Sequence, residues 1–280
     1  MQWDAPFYAA LDEAVRSLAE DIGEERLEAF GDDLSDIVSE AVSKAAERTA
    51  ESLAERLVAD GPEMLVRRRA ERGEFEERLA ARWGRAFDLA EMAMVVAYEA
   101  GEAFNESHQT EAGENADLVF AALVRLHARG CRIAEEVLTL LKAGFGQAGL
   151  ARWRALHEVA AVALFIKKHG QEVAERYFAH EGIEAWRAME EYQQHVERLS
   201  YDPYTPEEME AAQVRFESLC DKYGRRFAGP YGWAQEVLAA CNPRFTRDRA
   251  TISAIEADVG LNHLRPHYRM AEVVRGLVEL

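Results

Sequence analysis

The stretch from Asp117 to Lys168 restricts this chain more than any other. In its first half Val119, Leu123, Leu126, Ile133, Val137 and Leu141 recur at spacings of three, four and seven. That is the period of a helix with one buried face. Gly144-Phe145-Gly146 then breaks the pattern, and a second helix follows. Its run Val159–Ile166 is apolar all round, which is how a helix reads when neighbours pack on several sides. The run is far too short for a bilayer, which needs about 20 residues. The spacing predicts a central antiparallel helical hairpin over 117–168.

The second helix also carries the densest polar cluster, Arg152, Arg154, His157 and Glu158. A carboxylate at the mouth of an apolar run is costly to bury unless it is paired. Arg154 stands one turn before Glu158, at the i,i+4 spacing that lets the two side chains meet. His157 points elsewhere or flanks the pair. The pair is expected in a pocket walled by the hairpin and the C-terminal helices, with Tyr177, His180, Trp233, His263 and Tyr268 as its other binding residues.

The rest of the chain reads as helices separated by Gly and Pro. An acidic helix over 4–29 carries Phe7, Leu11, Val15, Leu18 and Ile22 on one stripe. From Leu34 to Val58 the apolar stripe is narrow and Ala-rich, as in a coiled-coil seam. Gly61-Pro62 is expected to end that helix and begin another, because Pro suits a first turn. Residues 105–116 (NESHQTEAGENA) are polar and read as a loop. A helix over Glu172–Leu199 follows. Thr205-Pro206-Glu207-Glu208 has the form of a helix start, an N-cap Thr with Glu three residues on, and Gly224 is the expected stop. Thr251–Val259 forms a short helix with Ile252 and Ile255 inward, and Pro266 opens the last. No run alternates in the manner of a strand. The expectation is an all-α fold, a single multi-helix bundle around the hairpin: an N-terminal acidic helical arm at 1–60 and a helical core domain at 62–280.

Composition narrows the function. Among 280 residues, 33 Lys and Arg stand against 51 Asp and Glu, a formal charge of −18. Phosphate contacts need a cationic surface, so general nucleic-acid binding and an anionic membrane are poor fits. Three cysteines, Cys131, Cys220 and Cys241, have no CxxC spacing. That pattern suits a reducing compartment better than a disulfide framework or zinc site. The start MQWDAPFYAALDEA has no cationic n-region or apolar h-region, and the expected location is the cytoplasm. The sequence has no GxxxxGK[ST], GxGxxG after a strand, GxSxG, HExxH or Glu-x-x-His, so no metal and no cofactor is expected.

Four segments carry a resemblance: LLKAGFGQAGLARWRALHEVAAVALFI (140–166), ERYFAHEGIEAWR (175–187), YGWAQEVL (231–238) and TISAIEADVGLNHLRPHYRMAEVVRGL (251–277). In this order they resemble a widespread bacterial family of all-helical proteins catalogued only as a domain of unknown function, over about residues 80–280. The resemblance maps Arg154 and Glu158 onto that family's Arg-x-x-x-Glu, and Tyr268 and Arg269 onto its last helix. Where many members carry a Ser and then a His, this chain has Ala271 and Arg275. The resemblance permits a setting in bacterial stress or phage defence. Separately, Arg152-Trp-Arg-Ala-Leu-His157 is similar to the Arg-x(4–6)-His motif of HEPN ribonucleases, which are small helical bundles. That similarity implies Arg152 on a scissile phosphate and His157 as general base or stabiliser, without a metal.

Two functional expectations follow. The first is a cytoplasmic protein-interaction module, binding a protein partner or forming a homodimer through 34–57. The second is a metal-independent ribonuclease using Arg152 and His157, with RNA as its partner. Whether the chain is an enzyme stays open between them.

Overall fold

The computed structural model describes residues 34–241 and 249–276, together with Tyr8, Asp12, Glu13 and Arg16. Among the described residues every regular element is helical and there is no strand. The fold is all-α. The helix expected over 4–29 lies, apart from those four residues, outside the described residues. The chain divides into two units, Met1–Arg78 and Leu79–Leu280.

The first described helix, α1, runs over Leu34–Glu114 for 81 residues and contains Pro62. The break expected at Gly61-Pro62 is therefore absent. An interior Pro costs a helix about 3 kcal/mol, but the flanking turns are rich in Ala, Glu, Arg and Leu, which propagate helix well. The loop expected at 105–116 is likewise helical as far as Glu114. Its Glu, Gln and Ala are adequate helix formers, Ser107 bonds back to the Ala103 carbonyl at 2.6 Å, and Ala112 is buried. Polarity there marks an exposed helix face, not a loop.

In the first unit, α1 leaves Leu57, Val58, Leu65 and Val66 more than half exposed. In the second unit, Phe87, Ala90, Met94, Ala97 and Gly101 form a half-buried stripe at spacings of three and four. His127 bonds the Ala97 carbonyl at 2.9 Å. A Cβ on Gly101 would lie 2.3 Å from His127 Nε2, so Gly allows this close approach.

The hairpin is present. Asp117 caps α2 (Leu118–Lys142) by accepting from the Phe120 N–H at 2.9 Å. At its far end Gly144 takes φ 81°. Phe145 N–H then reaches the Leu140 carbonyl at 2.8 Å, and Gly144 N–H the Leu141 carbonyl at 3.0 Å. This paired arrangement closes a helix with a left-handed glycine. The chain turns directly into α3 (Gly146–His169), which packs along α2. On α3, Ala161, Phe165 and Ile166 are fully buried. The run is not enclosed on all sides, because Leu164 is 42% exposed.

The helix expected at 172–199 is two, α4 (Gln171–Ala179) and α5 (Glu181–Leu199), joined at His180. Next comes α6 (Pro206–Tyr223). Thr205 Oγ1 accepts from Glu208 N–H, while Glu208 returns a bond to the Thr205 N–H at 2.8 Å. This is the reciprocal cap expected from the sequence. Gly224 ends the helix with φ 82°. Short 3-10 turns at Arg225–Ala228 and Gly232–Ala234 lead into α7 (Gln235–Cys241). Then come α8 (Ile252–Asp258) and, after a 3-10 turn, α9 (Arg265–Gly276). One core joins these elements around Phe165, Ile183, Phe227, Trp233 and Ile255. Each such side chain contributes about 1.5–3 kcal/mol on burial.

Candidate functional site

A polar crossing forms where α3 meets α8 and α9. Arg154, His157 and Glu158 come from α3, Glu256 from α8, and Arg265 and Tyr268 from α9. Tyr268 is its pivot and is 3% exposed. Arg154 Nη2 donates to the Tyr268 hydroxyl at 2.7 Å, and that hydroxyl donates to Glu158 Oε1 at 2.5 Å. The guanidinium groups of Arg154 and Arg265 lie 4.3 and 4.6 Å from the Tyr268 ring centre. Cations at that range are attracted by the ring quadrupole.

Arg154 and Glu158 do come together, at 3.8 Å. Their side chains keep 20% and 33% exposure, so the pair sits at the rim. The sealed pair is deeper. His157 Nε2 lies 3.1 Å from Glu256 Oε1, and Arg265 Nη1 donates to both Glu256 oxygens at 3.1 and 3.0 Å. Glu256 has no exposed surface. A carboxylate in that position demands charge and hydrogen-bond partners, and Arg265 and His157 supply them.

Glu256 and Arg265 escaped the sequence reading. A signal for Glu256 was present: it follows Ile252 and Ile255 at four and one, on the inward stripe of α8. Burial pushes the Tyr268 hydroxyl pKa up, and the bond to Glu158 adds to this. Nearby Tyr231 is pushed up to about 12, chiefly by burial and then by the negative field of Glu158. Both phenols are held neutral, and that of Tyr268 is a donor.

The other expected site residues lie apart from this crossing. Arg152 turns to α2 and pairs with Glu136, whose carboxyl it holds below the usual range. Residues five apart on a helix diverge by about 140°, so Arg152 and His157 face different neighbours. Tyr177 and Trp233 meet edge to face at 5.2 Å in the core, and Phe165 also meets Trp233 edge to face, at 5.7 Å. His180 Nε2 bonds the Gly229 carbonyl at 2.9 Å. His263 is exposed and bonds the nearby Gly260 carbonyl at 3.0 Å. Of the five residues expected to line one pocket, Tyr177 and Trp233 meet in the core, Tyr268 stands in the polar crossing, and His180 and His263 make their hydrogen bonds elsewhere.

One group could hold a cation. His169, Cys241 and Asp258 place ligand atoms within 4.8 Å of one another. His169 Nε2 and Lys168 Nζ already lie 2.8 and 3.1 Å from Asp258 Oδ2, so an ion there would have to displace the ammonium. Three distant stretches build this set, which no local spacing reveals.

The chain belongs to a family of unknown function (DUF5677), whose model matches residues 120–271. The match takes in the hairpin from Phe120 on and every residue of the polar crossing. Neither a curated protein nor a solved structure matches the chain. No helix among the described residues is long and apolar enough to cross a membrane.

Proposed function

We propose that this chain is a cytoplasmic protein-interaction module that associates with a second copy of itself through α1. The exposure of large apolar side chains along that helix carries the reading. In the second unit Leu89, Met92, Val95 and Val96 are each more than half exposed, on the face opposite the stripe that packs inward. The first unit, considered by itself, exposes Leu57, Val58, Leu65 and Val66. Contiguous apolar surface of this kind marks association sites, and helices far longer than 25 residues commonly belong to coiled coils. The polar crossing supports the same reading from another side. Its side chains are directed at one another, which suits a fixed scaffold.

Light scattering over a range of concentrations tests the proposal. The parent should exceed monomer mass, and a full-length Leu89→Glu, Met92→Glu, Val96→Glu variant should return toward it. A parent that stays monomeric at every concentration would overturn self-association.

A further inference from the structure

A concavity of about 400 Å³ lies between α5, the turns at 225–232 and the start of α8. Four arginines line it: Arg187, Arg225, Arg226 and Arg249. In a chain of formal charge −18, four guanidinium groups in one hollow are a sharp local reversal. Only part of this charge is answered. Arg187 bonds the Ala228 carbonyl and lies 3.2 Å from Glu184. Among the described residues, Arg225 and Arg249 have no hydrogen bond or ion pair, and both are exposed.

We infer that this hollow binds a small phosphorylated molecule with adjacent phosphates, of the nucleoside diphosphate class. Like charges held together repel unless an anion stands among them, and guanidinium groups bind phosphate oxygens through paired N–H donors. A single carboxylate would answer only one of the two charges, Arg225 and Arg249, that have no hydrogen bond or ion pair among the described residues. The volume falls in the range of small-molecule sites, roughly 300–1,000 Å³, and exceeds what one phosphate fills. Ala228 and Pro230 supply an apolar wall against which a sugar or base can rest. The floor is fixed by Gly232, where a Cβ would stand 1.9 Å from the Phe227 carbonyl oxygen. No residue of α1 lines the hollow, and the inference stands independently of the proposed self-association.

Calorimetric titration of the full chain with pyrophosphate and with ADP tests the inference. Both should bind, with affinity falling as salt rises. An Arg225→Ala, Arg249→Ala variant should bind about tenfold more weakly or worse at an unchanged melting temperature, since neither side chain holds the fold. An Arg132→Ala variant, removing an exposed arginine on α2, should bind like the parent. No binding by the parent, or equal binding by the double variant, would overturn the site. Tighter binding of a short RNA than of ADP, lost in the same double variant, would overturn the small-molecule assignment in favour of nucleic acid.

Discussion

His157 and Glu256 meet between α3 and α8, Nε2 to Oε1 at 3.1 Å, with 4% and 0% of their surfaces exposed. Arg265 completes the contact from the start of α9. Three helices are thus tied at one carboxylate. Burial makes this contact sensitive, because a partner removed leaves charge stranded in apolar surroundings.

Glu256→Ala should lose about 3–5 kcal/mol of stability. It strands the Arg265 guanidinium and empties part of the core beside Ile252 and Ile255. Urea unfolding measures the loss. A midpoint equal to that of the parent would mean the carboxylate bears no such weight.

Tyr268→Phe keeps the ring between the two guanidinium groups and removes only the hydroxyl. Arg154 and Glu158 then lose their shared partner. At the partly exposed rim the expected cost is smaller, about 1–3 kcal/mol. A Glu158→Gln variant, which can still accept from Tyr268, should lie nearer the parent in the same unfolding assay.

His180 provides a pH handle. Burial lowers its pKa below 6.5, against opposing pulls from the Gly229 carbonyl and Glu184. The folded state therefore favours neutral imidazole, while the unfolded chain takes up a proton near 6.5. The stabilisation is fully present above the unfolded pKa and is lost as pH falls through the folded one. Relative to His180→Asn, the parent should lose stability as pH drops below about 6.5. Parallel stability curves for the two proteins would contradict this.

Gly232→Ala should destabilise by about 1–3 kcal/mol or more, since its Cβ meets the Phe227 backbone and no rotamer change relieves the clash. Thermal melting tests this directly. The same substitution should disturb the arginine-lined hollow.

RNA incubated with the chain in EDTA should stay intact, as it should with an Arg152→Ala, His157→Ala variant. Arg152 is engaged by Glu136 and His157 is sealed against Glu256, so the two do not face a common substrate. Cleavage by the parent alone would establish the ribonuclease reading.

Much of this protein follows from local rules in its sequence. The hairpin over 117–168, the Thr205–Glu208 cap, the stop at Gly224 and the inward Ile252 and Ile255 rest on periodicity, capping and turn chemistry. Those effects act within a few residues, so the all-α fold is legible before any packing is known. The same local rules misjudged α1, where strong helix formers outweigh Pro62 and a polar run stays helical. Tertiary structure alone decided which charges meet. Arg154 and Glu158 share a helix face and could be paired by spacing. His157 meets Glu256 across 99 positions of sequence, and Tyr268 reaches Arg154 across 114. Arg187 and Arg249 also come to one hollow from separate stretches. Such meetings depend on where whole helices cross, and burial of the shared core sets that, not the residues beside each charge.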